Sequence, residues 1–120
     1  MTDEDPGDDL DPIIEDIQQA IIDLEEDKTA ELTQEAIDKA DWLADAGVTM
    51  LEQPVEADDI DGLRRVTDAT EIPVAADESC VTASDVPRVA DACDIVNAKL
   101  VKCGGLRPAT RLLHAADAHG

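Results

Sequence analysis

Phenylalanine and tyrosine are absent from the 120 residues, and tryptophan occurs once, as Trp42. A core must therefore be built from Ala, Val, Ile and Leu, and platforms on which bases or sugars stack are missing. Basic residues are scarce: 9 Lys and Arg against 30 Asp and Glu give a net charge of −21. That balance excludes a nucleic-acid binder working through phosphate contacts. No apolar run approaches the roughly 18 residues of a membrane span, and the N-terminus is acidic rather than basic then apolar, so neither a transmembrane helix nor a signal peptide is expected. Cys80, Cys93 and Cys103 are odd in number and fit neither C-x-x-C nor a zinc ligand set. They read as reduced thiols of a cytoplasmic protein, packing as small apolar residues.

Charge is unevenly distributed. Lys28 and Lys39 are the only bases before Arg64, and most of the acids lie in that same stretch. An acidic partner-binding face is one reading; the surface of a protein adapted to molar salt is the other, and the spread of acids over every predicted helix favours it. Residues 1–11 alone read as an acidic disordered segment.

From Pro12, the residues Ile13, Ile14, Ile17, Ile21 and Leu24 recur at helical spacing and predict a helix to about Glu26. A second helix is predicted from Leu32 or Thr33, with Ala36, Ile37, Ala40, Leu43 and Ala44 on its apolar face and Gly47 as its stop. Strands follow at 48–51, 72–76 and 94–100, and helices at 58–70, 84–92 and 108–118. Ser84 is the expected cap of the penultimate helix, with Pro87 in its first turn. Strand alternating with helix at near-constant spacing predicts parallel βαβ units. The length would suit an open doubly wound sheet, since a whole (β/α)8 barrel takes about 250 residues.

The polar residues at the strand ends point the other way. Glu52, Asp77 and Lys99 each end or nearly end a strand, one repeat apart, and parallel strands set such residues side by side along the C-terminal rim where ligands bind. Two carboxylates there suit a hard cation, and a lysine in a cationic site is a candidate base. On spacing alone the plainer reading carries more weight: charged residues end strands where a buried sheet reaches water.

Local motifs shift that balance. Leu51-Glu-Gln-Pro-Val55, Ile72-Pro-Val-Ala-Ala-Asp-Glu-Ser79 and Val96-Asn-Ala-Lys-Leu-Val-Lys-Cys-Gly-Gly-Leu106 resemble, in order and spacing, the enolase superfamily. The resemblance is closest to the mandelate racemase and muconate-lactonizing branch, especially its dipeptide epimerases, and it covers 33–120. It implies an α/β chain that is a partial (β/α)8 barrel of three to four βα units over residues 12–120. It further implies Mg²⁺ as cofactor, Glu52 and Asp77 as metal ligands, and Lys99 as the acid/base lysine beside a small carboxylate-bearing substrate. Asp27, in Asp27-Lys-Thr29, is the best match to the family's remaining metal ligand. Thr29 stands there where the family has Asn, and the preceding Asp23-Leu-Glu-Glu26 cannot form a buried strand.

The family's second lysine, from a K-x-K motif, has no counterpart before Lys28. The resemblance thus implies a central slice of a barrel, beginning after its second strand and ending before its seventh. By itself such a chain is expected to be inactive or nearly so as an isomerase. Lys102 is expected to point away from Lys99 on an extended strand, Glu78 to face the opposite way from Asp77 unless the strand has already ended, and His114 and His119 to be exposed. The competing expectations are a noncatalytic remnant or small acidic α/β domain, and a relative of the o-succinylbenzoate synthase or dehydratase type. Unpaired sheet edges predict self-association or a complementing barrel fragment.

Overall fold

The computed structural model describes residues 11–120. The acidic segment lies outside the described residues, apart from Asp11, which opens helix α1 (Asp11–Asp45). After α1 come β1 (Leu51–Glu52), α2 (Ile60–Ala69), β2 (Val74–Ala76), a 3₁₀ turn (Ala83–Asp85) running into α3 (Val86–Val89), β3 (Ile95–Val96), α4 (Leu100–Cys103) and α5 (Leu106–Ala118).

One helix replaces the two predicted from the first 46 residues. The intended break, Asp23 to Leu32, contains neither Gly nor Pro and is rich in Glu, Leu, Ala and Lys, so intrinsic propensity carries the helix through. Exposed i,i+4 bonds support it, with Gln19 donating to Asp23 and Gln34 to Asp38, both at 2.9 Å. Gly47, at φ +89°, ends the turn that follows. At 1.5 Å per residue the helix is about 52 Å long, longer than the sheet layer it meets. Its C-terminal half docks: Thr33 and Ala40 are buried, and Ala36 and Ile37 pack against the core. Its N-terminal half leaves Ile13, Ile14, Ile17, Ile21, Ile22 and Leu24 exposed.

The three strands pair in parallel in the order β1-β2-β3. Each βα unit adds its strand on the same side of the last, with no reversal. A doubly wound sheet reverses at its switch point, whereas a barrel does not. These units are a partial (β/α)8 barrel. The strands are shorter than the sequence pattern suggested. The third ends at Val96 rather than Leu100, because Leu100 opens α4.

The helices cover one face of the sheet. Val74 and Ala76 of β2 face Leu63 and Val66 of α2, Val86 and Val89 of α3, and Leu112 of α5, in a core built wholly of aliphatic side chains and Cys80. Polar bonds fix the layer edges. Asp94 and Val74 exchange bonds, the Asp94 N–H to Val74 O and the Val74 N–H to Asp94 Oδ2, both at 2.9 Å. Thr67 Oγ1 donates to Ala92 O at 2.7 Å. Asp85, not Ser84, fixes the 3₁₀ turn that leads into α3: its Oδ2 accepts from the N–H groups of Val81 and Thr82 at 3.0 Å, which holds its carboxyl below the usual range.

Asp59 joins α1 to the sheet layer. Its Oδ1 accepts from Gly62 N at 2.9 Å, capping α2, and its Oδ2 accepts from the buried Thr33 Oγ1 at 3.0 Å. A Cβ on Gly62 would lie 2.0 Å from Asp59 Oδ2 and 2.6 Å from Thr33 Oγ1. Gly62→Ala is therefore expected to expel the cap, and the loss outweighs the roughly 1 kcal/mol of helix propensity gained. Urea unfolding should give a net destabilisation of about 1 kcal/mol; a stabilised variant would contradict this account of the junction.

Candidate active site

Strand alternation and register decide which polar residues meet. Glu52 pairs with Ala75, Ala75 with Ile95, and Ala76 with Val96. Residues 52, 75, 77, 95 and 97 therefore share the face opposite Val74 and Ala76, and the extended backbone of Lys99 keeps it on that face too. Helices cover the other face, so this one carries the polar groups.

Asp77 is the centre of the cluster. Its side chain is 4% exposed, yet both carboxylate oxygens are engaged by ammonium groups: Lys99 Nζ donates to Oδ2, and Lys102 Nζ donates to Oδ1 at 3.2 Å. The Lys99 bond holds the Asp77 carboxyl below the usual carboxylate range, against the opposing effect of burial, and Lys102 adds to it. Reciprocally, Asp77 raises Lys99 above its ordinary value. Glu52, exposed at the end of β1, accepts from Asn97 Nδ2 at 2.7 Å. Glu78 is exposed and lies 3.5 Å from Lys102 Nζ. A cavity of about 510 Å³ opens beside Glu52, Gln53, Asp77 and Glu78.

Asp27 is not brought to this rim. It lies in the body of α1, exposed, because the segment expected to be a strand end is helical. Lys102 corrects the sequence reading in the opposite direction. On an extended strand it would point away from Lys99, but Leu100–Cys103 form a helical turn and the three-residue step returns it to the same carboxylate. The following Gly104-Gly105, with φ of +102° and +114°, is the sequence signal that the strand has ended. Gln53 was also missed, and its side chain bonds to both Asp77 and Ser79.

The remaining chemistry-bearing residues are remote or inert. Burial pushes the Cys80 thiol up to about 11 and raises Cys93 as well. Cys103 is buried, and His114 and His119 are exposed on or just after α5. Among the described residues no group of three His, Cys, Asp or Glu could hold a metal ion. Glu52, Asp77 and Glu78 are the carboxylates beside the cavity, and both oxygens of Asp77 are held by lysines; carboxylate oxygens are the donor type taken by Mg²⁺, an ion that keeps several waters and uses one or two carboxylates.

A partial parallel barrel with carboxylates and lysines at its strand ends is the architecture of barrel enzymes that bind ligands at the C-terminal rim. Residues 4–120 match the family model described as enolase C-terminal domain-like, and the chain belongs to that family. It is 44% identical over 87 residues to the L-Ala-D/L-amino acid epimerase of a Maribacter species, spanning 72% of this chain and 26% of that protein. The L-Ala-D/L-Glu epimerase of Bacillus subtilis is 42% identical over 79 residues, 64% of this chain and 22% of that protein. The chain thus spans about a quarter of the length of these relatives. Among solved structures, the dipeptide epimerase of Enterococcus faecalis V583 complexed with Mg and L-Leu-L-Tyr superposes with a TM-score of 0.71 at 33% identity, covering 74% of this chain and 26% of that one. For a substrate-liganded complex of the B. subtilis epimerase the TM-score is 0.69 at 39% identity, covering 73% and 26%.

The Asp77 cluster makes a pH prediction. Its depressed carboxyl contributes stability that is complete above the ordinary value of about 4 and lost as acid protonates it below; the raised Lys99 contributes below about 10.5 and loses its part above. Asp77→Asn should destabilise by about 1–3 kcal/mol at neutral pH. In denaturant titrations the difference between wild type and variant should shrink as the pH falls below about 4. A difference independent of pH down to acid would mean that Asp77 acts by shape alone.

Proposed function

We propose that this chain supplies the acid/base lysine and two metal-binding carboxylates of an isomerase of the dipeptide-epimerase or muconate-cycloisomerase type, which removes the proton next to a substrate carboxylate. The observation that carries this reading is the buried Asp77 carboxylate, shared by two lysines at the C-terminal end of the central strand. The epimerase relatives, one complexed with Mg and a dipeptide and another with its substrate, support the substrate class.

Glu52 and Asp77 would hold Mg²⁺, which when bound neutralises negative charge developing on a carboxylate substrate. Lys99 Nζ is the group that moves the proton. Held by Asp77 it is an ammonium and donates; to accept a proton it must first be neutral, leaving Asp77 in need of another cation. Lys102, on the other carboxylate oxygen, is that cation. Both lysines leave one short segment and reach the same carboxylate, so they serve one face of a substrate. Inversion at a carbon needs a group on each face, so the 120-residue chain by itself exchanges a proton on one face at most and does not epimerise.

The acid excess supports a surface adapted to molar salt, and the free thiols of Cys80, Cys93 and Cys103 support a cytoplasmic setting. The open edges of β1 and β3 and the exposed isoleucines of α1 support self-association or complementation by further βα units.

Thermal unfolding tests the metal reading. Millimolar Mg²⁺ should raise the midpoint of wild type beyond NaCl of matched ionic strength, and Asp77→Asn should remove that increment while the general stabilisation by KCl persists. A response to ionic strength alone would favour the second reading, a small acidic α/β domain in which Asp77 and its lysines are a structural ion cluster. Chiral analysis of L-Ala-L-Glu incubated with the purified chain should detect no epimer; sustained epimerisation would overturn the single-face mechanism.

A further inference from the structure

Gln53 has φ +43°, alone among the non-glycine residues described in the left-handed region. A side chain there costs of order 1–3 kcal/mol and persists only where its surroundings hold it. Here its amide has all four hydrogen-bonding positions filled. Oε1 accepts from the backbone N–H of Asp77 at 2.9 Å and of Ser79 at 3.1 Å. Nε2 donates to Ser79 Oγ at 2.8 Å and to Val55 O at 3.0 Å. The buried Ser79 hydroxyl passes the chain on to Ala57 O at 2.7 Å. The Gln53 N–H donates to Ala75 O at 2.8 Å and so extends the β1-β2 ladder by one residue.

One side chain therefore ties the turn that follows Glu52 at the end of β1 to the turn after β2, which carries Asp77. We propose that Gln53 is a positioning residue that sets the separation and orientation of these two carboxylates, so that they present one oxygen-lined site; the metal part of this inference rests on Glu52 and Asp77 being Mg²⁺ ligands. The residue type follows from the geometry. Leucine would take the partner from the N–H groups of Asp77 and Ser79 and from Val55 O. Asparagine is one methylene short. Glutamate keeps the two acceptor bonds but has no N–H for Val55 O, and it adds a third negative charge beside Glu52 and Asp77.

Residue-resolved amide hydrogen exchange on the full 120-residue chain, with an Mg²⁺ titration followed by backbone NMR shifts, tests this. In Gln53→Ala the Asp77 and Ser79 amides should exchange about tenfold faster, whereas the core amides of Leu63, Val66 and Leu112 should change less than about twofold. Gln53→Glu, which keeps the acceptor oxygen, should restore protection at Asp77 and Ser79, whereas Gln53→Met, of similar length but without that oxygen, should not, a contrast that a space-filling role would not produce. Mg²⁺ should bind Gln53→Ala about tenfold more weakly than wild type. Equal protection in Gln53→Glu and Gln53→Met, or uniform loss of protection over the chain in Gln53→Ala, would overturn the proposal, as would undiminished Mg²⁺ affinity in Gln53→Ala. Absence of any Mg²⁺-dependent shift in wild type would instead refute the metal reading, and the exchange data alone would then decide whether Gln53 positions the two turns.

Discussion

The double pairing of β2 is the constraint on which the rest depends. It is the only described strand with neighbours on both sides, and its registers, Leu51 with Val74 on one side and Ala75 with Ile95 on the other, fix where Glu52, Asp77 and Asn97 stand. Val74 and Ala76 point into the helices, so Ala75 and Asp77 must point the other way. A shift of one residue would send Asp77 into the aliphatic core and Ala76 to the rim. The same alternation thus builds the core and keeps the charged groups out of it.

Charge has two regimes in this molecule. Over α1 from Glu15 to Asp45 the carboxylates are exposed, and their mutual repulsion is screened by salt. Asp77 is buried, and a buried carboxylate must be compensated locally. That requirement explains why two of the few lysines in the chain converge on it and why the carboxyl stays ionised in spite of desolvation. On the helices Lys39 pairs with Glu35, Arg64 with Asp61 and Asp91, and Arg88 with Asp85, and such surface pairs contribute little to stability.

Helix α1 shows how local and tertiary preferences separate. Its C-terminal half is held by the Thr33–Asp59 bond and by packing of Ala36, Ile37 and Ala40. Its N-terminal half has the apolar periodicity of a packed helix but leaves those residues in water. Propensity and i,i+4 bonds suffice to continue the helix once a docked segment has nucleated it.

The strand-helix alternation, parallel pairing and strand-end positions of Glu52 and Asp77 were legible in the sequence, because each depends on local periodicity and on where an apolar run stops. Membership of the enolase C-terminal domain-like family was legible in the three motifs, which resemble that family in order and spacing. Three features were not. Continuity of α1 through Asp27 depended on the absence of any breaker outweighing an expected repeat. The return of Lys102 to Asp77 depended on the strand ending at Val96, four residues early, so that a helical turn replaced an extended one. The bonds of Gln53 join residues 24 and 26 apart in the chain, across strands whose register no local pattern encodes. Sequence alone determined the alternation of strands and helices after α1 and the placing of Glu52 and Asp77 where apolar strands stop. Only the tertiary structure decided which side chains share a carboxylate, because hydrogen-bond partners across parallel strands are chosen by register and burial rather than by distance along the chain.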